Sequence, residues 1–138
     1  FRYFGVYGGV KQYMLDIVAA ARTDGFVSTL LNRRRYLPEI EAKNKMRREF
    51  AERAAINTPI QGTAADIIKL AMLRVDDLLK REKSSCQMLL QIHDELVFEL
   101  DEGECDRIKG MIREEMEQAM ALDVPLVVNM ETGTSLAK

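Results

Sequence analysis

The chain has 138 residues, of which 47% are hydrophobic and 30% are charged, with three prolines and eight glycines. This composition excludes a disordered, collagen-like or low-complexity protein and supplies enough apolar side chains for a buried core. No apolar stretch approaches the roughly 18 residues that a membrane-spanning helix needs, so we expect no membrane partner. The chain does not begin with methionine and has no signal-peptide pattern, and we expect it to start inside a longer protein.

The first part of the chain is predicted to form a helix followed by a basic β-hairpin. Apolar residues spaced three and four apart predict a helix over 10–23, with Gly25 as its C-cap. Aromatic and β-branched residues then predict a strand at 26–30, a turn at 32–34 and a short strand at 35–37. The three consecutive arginines of this hairpin would lie at its tip or along one edge.

Residues 44–81 are predicted to be helical except at Thr58 and Pro59. Proline lacks a backbone donor and crowds the preceding helical turn, so a kink or break is expected. Thr58, Pro59 and Gln61 also fit a capping box that would begin a new helix. The sequence leaves open whether this region is one kinked helix or two abutting helices.

The remaining segments predict a hairpin, a helix and a final strand. The hairpin strands are placed at 87–92 and 96–100, the acidic helix at 103–120 and the last strand at 126–130. Helices segregated on an antiparallel sheet predict an α+β fold, in which a hairpin that bears carboxylates packs against long helices. No linker or repeat divides the chain, and we expect residues 1–138 to form a single unit.

The hairpin turn at His93, Asp94 and Glu95 carries the residues best suited to chemistry. Its two adjacent carboxylates offer the oxygen ligands that Mg²⁺ prefers. The alternative is an ordinary polar β-turn, in which aspartate is common. Zinc sites built from several histidines are excluded, because His93 is the only histidine in the chain.

Arg53, Asn57 and Gln61 form a second candidate group. Steps of four residues in a helix place these side chains on one stripe. A guanidinium and two amides suit hydrogen bonds to phosphate, sugar and minor-groove acceptors. Residues 33–53 also hold eight basic and four acidic side chains, on a chain whose net charge is only −2. The alternative is a solvated polar face on which Gln61 serves in helix capping.

Five motifs occur in the same order as in family A DNA polymerases. They are GFVSTL at 25–30, RRRYLP at 33–38, AER at 51–53, NTPIQGTAAD at 57–66 and QIHDEL at 91–96. Over nearly its whole length the chain resembles the C-terminal, palm-containing segment of this family. By this resemblance, 1–43 is the helix with the basic hairpin, and 44–138 holds palm helices and strands.

The resemblance implies a DNA-directed DNA polymerase that acts in replication and repair by two-metal nucleotidyl transfer. Asp94 would help to hold two Mg²⁺ ions, Glu95 would be a ligand or a neighbouring carboxylate, and His93 would contact the primer terminus. The family's second metal-binding aspartate lies in an earlier motif that this chain lacks. Asp66 is expected to cap the helix or to pair with Lys69 or a nearby arginine instead.

The resemblance also implies partners for the chain. Arg53, Asn57 and Gln61 match family positions on a helix that touches the DNA primer–template, and we predict further DNA contacts for Arg33 and Arg34. Deoxynucleoside triphosphates and the remainder of the polymerase chain would be the other partners, so the fragment alone should be inactive. A cytoplasmic, nucleoid-associated bacterial protein is implied, with a phage or organellar source left open. The alternative hypothesis is a stand-alone, non-enzymatic module that binds nucleic acid or a protein through its basic segment.

Overall fold

A computed structural model describes residues 5–136 of the chain. The elements, in chain order, are helix α1 (Gly8–Asp24), strands β1 (Phe26–Ser28) and β2 (Arg34–Tyr36), helix α2 (Lys45–Arg81), strands β3 (Gln87–Ile92) and β4 (Glu95–Glu99), a 3₁₀ turn (Glu102–Glu104) and helix α3 (Cys105–Glu117). The α+β class is confirmed, and its strands form two separate two-stranded antiparallel sheets. The chain divides into two units, Phe1–Asp66 and Ile67–Lys138.

In the first unit, α1 and the β1–β2 hairpin follow the predicted order. Gly25 ends the helix with a φ of 79°, and its N–H donates to the carbonyl of Ala21 at 2.8 Å. Only glycine adopts this left-handed conformation without a steric cost, which explains the sharp turn into β1. The buried side chains of this unit's core are those of Ala21, Val27, Leu37, Ile40, Ala51, Ala54 and Ala55.

Helix α2 continues through Pro59 as a single helix. Thr58 therefore lies inside the helix, and the interpretation of this site as a capping box is wrong. Burial of Ala51 and Ala55 on the preceding turns favours helical continuity, because tertiary packing outweighs the local preference of one residue. The Tyr13 hydroxyl also donates to the carbonyl of Ile56, on the turn that proline perturbs, at 3.0 Å.

In the second unit, β3 and β4 pair from Gln87 opposite Glu99 to Ile92 opposite Glu95, with a register irregularity near Met88. Beyond this hairpin, the 3₁₀ turn leads into α3. The core buries apolar side chains from the second part of α2, from the approach to β3 and from α3. They are Val75, Leu78, Leu79, Cys86, Ile108 and Ile112.

The strand predicted at 126–130 does not form. The segment nevertheless contributes to the core, since Met130 packs against the buried side chains of the second unit. A strand needs a neighbouring edge for its backbone hydrogen bonds, and the Val128 N–H instead donates to the Glu117 carboxylate at 3.0 Å. No helix within residues 5–136 is long and apolar enough to cross a membrane.

Candidate functional site

Buried polar residues hold the loop between β1 and β2 on helix α2. Asp66 is only 5% exposed and accepts hydrogen bonds from Thr29 Oγ1 at 2.6 Å and from Arg33 Nε at 2.9 Å. The Thr63 hydroxyl accepts the backbone N–H of Leu30 at 3.1 Å. A buried carboxylate requires such partners, because an unpaired charge in the interior is strongly destabilising. We call Thr29, Arg33, Thr63 and Asp66 the hairpin clasp.

The hydrogen bonds of the hairpin clasp show that Asp66 has a structural role. Its predicted pairing with an arginine is confirmed, and the partner is Arg33 rather than Lys69 on its own helix. Both carboxylate oxygens are engaged, one by Thr29 and one by Arg33, so Asp66 is poorly placed to bind a metal. One sequence signal pointed to this burial: Asp66 continues the helical stripe of small residues that includes Ala55 and Gly62.

An open cleft of about 370 Å³ lies beside the clasp. Arg33 Nη2 donates to the Gly62 carbonyl at 3.1 Å, and Arg35 Nη1 donates to Thr58 Oγ1 at 3.2 Å. Arg34, which lies between them, instead places its guanidinium 4.2 Å from the centre of the Phe26 ring, in cation–π geometry. The cleft is lined by Thr29, Arg33, Arg34, Arg35, Thr58, Gln61 and Gly62.

Arg53, Asn57 and Gln61 lie on one exposed stripe of helix α2. Because the helix is continuous, Gln61 is not used in capping, which removes part of the alternative interpretation of this stripe. Within the part of the chain that the structure describes, the three side chains make no hydrogen bond or ion pair. Their donors and acceptors are therefore available to an external partner, and Gln61 extends the stripe to the rim of the arginine cleft.

The carboxylate hairpin of the second unit has a two-residue turn. Ile92 pairs with Glu95, which leaves His93 and Asp94 as the two central residues. His93 has a φ of 54°, the positive value that favoured two-residue turns require at their first central position. The Gln91 side chain donates to the His93 carbonyl at 3.0 Å and supports the turn. The side chains of His93, Asp94 and Glu95 are all exposed.

The two carboxylates at this hairpin are ligands that suit a hard divalent cation. Asp94 and Glu95 are consecutive residues with exposed carboxylates at the hairpin tip, and Mg²⁺ binds to proteins mainly through one or two carboxylates, waters and substrate phosphates. Among residues 5–136, no group of three or more histidine, cysteine, aspartate or glutamate side chains has the arrangement of a metal site. Asp94 and Glu95 thus offer two adjacent carboxylates to such a cation.

Comparisons with known proteins identify the family. The sequence model described as DNA polymerase family A matches residues 1–138. The chain belongs to DNA polymerase family A. It is 55% identical over 134 residues to DNA polymerase I of Mycobacterium leprae, and 52% identical over 132 residues to DNA polymerase I of Geobacillus stearothermophilus. These alignments cover 97% and 96% of this chain, and the chain spans 15% of each relative's length.

A solved structure has the same fold over most of the chain. It is the POL domain of Pol1 from M. smegmatis in complex with DNA primer–template and dNTP. The TM-score is 0.87 at 54% sequence identity, over 90% of this chain and 22% of that one. The predicted resemblance to family A is thus confirmed by sequence and by structure.

Proposed function

We propose that this chain is the palm-containing segment of a DNA-directed DNA polymerase and contributes a metal-binding aspartate and primer–template contacts to nucleotidyl transfer. The observation that carries the proposal is the likeness, at a TM-score of 0.87 and 54% identity, to a Pol1 domain described in complex with DNA primer–template and dNTP. The chain spans 15% of the length of its relatives, and we expect the remainder of the polymerase chain to be its partner. A bacterial cytoplasmic setting is consistent with the bacterial relatives.

Asp94 and Glu95 would hold the divalent metal, with Mg²⁺ as the preferred ion. Their exposure at the tip of a two-residue turn leaves both carboxylates accessible, and a hydrogen-bonded hairpin holds their backbone. Metal ions in such enzymes supply activation of the primer 3′-hydroxyl and stabilisation of the leaving pyrophosphate. A second aspartate, from outside this chain, would complete the site. His93, beside Asp94 in the same turn, would contact the primer terminus.

The DNA contacts would come from helix α2 and the basic hairpin. Arg53, Asn57 and Gln61 present a charged donor and two amides on one exposed stripe, and amides can both donate to and accept from base and sugar edges. Arg33 and Arg34 would add positive charge at the adjoining loop. This combination of charge and amides suits the sugar–phosphate backbone and minor groove of a duplex.

Replacing Asp94 with asparagine in the full-length protein tests the proposal. We expect Asp94→Asn to lower the rate of primer extension by more than about 100-fold, because even residues that only support metal ligands typically cost 10- to 100-fold. Binding of the primer–template, measured by fluorescence anisotropy, should change far less. Asp77→Asn removes the same charge from an exposed site on helix α2 and should leave extension unchanged.

Two outcomes would reject the proposal. Extension by Asp94→Asn at the wild-type rate would exclude a metal-binding role for this residue. A full-length wild-type protein that binds DNA without extending a primer at any Mg²⁺ concentration would favour the non-enzymatic binding module.

A further inference from the structure

Helix α1 packs against the turns of α2 that carry the polar stripe. Apolar side chains of α1 adjoin the core that also buries three alanines of α2. Two polar contacts join the helices on neighbouring turns of α2. Arg22 Nη2 donates to Glu52 Oε1 at 2.6 Å, and the Tyr13 hydroxyl donates to the Ile56 carbonyl at 3.0 Å. The second contact brings a donor from outside α2 to the peptide group that joins Ile56 to Asn57.

Pro59 weakens the internal support of this part of α2. A proline has no N–H, so the Ala55 carbonyl has no donor from within the helix, and the proline ring crowds the preceding turn. Pro59 lies between Asn57 and Gln61, and a change of helix bend at the proline would move these two side chains relative to each other. An added donor on the adjacent Ile56 carbonyl restrains such a change.

The Tyr13 side chain is suited to hold this carbonyl. Tyr13 lies on the inward face of α1, because Ile17 and Ala21 follow it at steps of four residues and adjoin the core. Burial raises the pKa of the Tyr13 hydroxyl, so the group remains a protonated donor at neutral pH. The ring is half-buried, and an aromatic ring with two side-chain torsions loses little entropy when it is held in place.

We propose that Tyr13 is a positioning residue for primer–template binding, which holds Asn57 on the polar stripe through the Ile56 carbonyl. Tyr13 acts through helix α2 rather than by its own contact with DNA, because its hydroxyl is already donated to that helix. This role rests on the proposed function, since it concerns the alignment of a side chain assigned there to DNA. It differs from a general stabilising role, because loss of the hydroxyl must change DNA affinity by way of Asn57.

Tyr13→Phe in the full-length protein removes the hydroxyl and keeps the ring. Loss of this neutral hydrogen bond should raise the Kd for primer–template, measured by fluorescence anisotropy, by about 2- to 10-fold. The extension rate at saturating primer–template should stay within about twofold of the wild type, because the lost interaction serves binding. Thr23→Val is the matched control, since it removes a hydroxyl that bonds to the Ala19 carbonyl within α1 at 3.2 Å. Its Kd should equal that of the wild type.

A double-mutant cycle separates positioning from stability. In an Asn57→Ala background, Tyr13→Phe should change the Kd by less than about 1.5-fold, because the side chain that it positions is gone. In an Arg34→Ala background the full factor should remain, since Arg34 lies on β2 rather than on α2. Thermal unfolding should be shifted by Tyr13→Phe to the same extent in both backgrounds, because the lost hydrogen bond is the same.

Two results would overturn the positioning role. One is a wild-type Kd in Tyr13→Phe, and the other is an equal rise in Kd with and without the Asn57 side chain. Failure of the proposed function has a different signature. A wild-type protein that binds primer–template without extending it rejects the enzymatic function and leaves the cycle measurable, whereas a wild-type protein that binds no primer–template rejects both.

Discussion

Gly62 lies where helix α2 meets the loop between β1 and β2, and Gly62→Ala perturbs that contact directly. The added Cβ would lie 2.7 Å from Thr29 Cγ2, well below the 3.4 Å at which ordinary van der Waals contact begins. Thr29 has little freedom to yield, because its side chain is β-branched and its hydroxyl is bonded to Asp66 at 2.6 Å. Alanine gains about 1 kcal/mol in helix propensity over glycine. Overpacking and weakened bonds to a buried carboxylate together cost about 2–4 kcal/mol, which leaves a net loss of about 1–3 kcal/mol.

Two further variants separate the close contact from the intrinsic effect of glycine. Gly110 is an exposed position inside α3, and a Cβ added there would meet no atom within 4 Å, so Gly110→Ala should stabilise its helix by about 0.5–1 kcal/mol. Thr29→Ser keeps the hydroxyl that binds Asp66 and removes the methyl group that clashes. In the Thr29→Ser background, Gly62→Ala should therefore lose most of its cost.

Hydrogen exchange with mass-spectrometric detection reports the local opening free energy in the full-length protein. The informative amides are those of Leu30, Leu31 and Arg33, whose N–H groups are bonded within the clasp. Gly62→Ala should accelerate their exchange, and Gly110→Ala should slow exchange only in its own helix. If Gly62→Ala protects the loop as Gly110→Ala protects α3, the close approach does not hold the loop on the helix.

Two other predictions concern the second unit. His93 has a φ of 54°, a conformation that is costly for a β-branched residue and free for glycine. The free energy of opening the β3–β4 hairpin, measured by hydrogen exchange of the strand amides, should therefore be about 1–2 kcal/mol lower in His93→Val than in His93→Gly. Equal protection in the two variants would contradict a strained turn. Hydrogen bonds from Ser85, and then from Ser84 and Arg107, lower the pKa of Glu104 below its usual 4.5. A lowered folded-state pKa stabilises the protein above the unfolded value, and this contribution is lost as the pH falls through the folded value. Thermal unfolding of Glu104→Gln should thus depend less on pH below about 5 than that of the wild type, and identical pH profiles would exclude this linkage.

Local sequence patterns were sufficient for most of the elements and for the candidate residues. Helix α1 follows from the spacing of its apolar residues, and its end follows from the conformational freedom of Gly25. Each of these effects depends only on residues close together in the sequence. The position of the β3–β4 turn is likewise a local feature, because the two strand patterns leave only the intervening residues for the tip. The structure shortens the predicted turn of three residues to His93 and Asp94, since Glu95 pairs with Ile92. The spacing of Arg53, Asn57 and Gln61 was enough to place them on one stripe once the segment is helical.

Other features depended on residues far apart in the chain. Whether Pro59 divides helix α2 was decided by core packing on the preceding turns. The segment at 126–130 forms no strand, and its Val128 N–H donates to the carboxylate of Glu117, a residue of another element. The partner of Asp66 is Arg33, 33 residues earlier, because burial makes a paired charge necessary and the fold determines which arginine is within reach. The sequence by itself thus determined the family, most of the elements and the chemical types of the candidate residues. Only the tertiary structure decided which polar groups are held by internal bonds and which are left for a ligand, since burial and long-range contacts are properties of the folded chain.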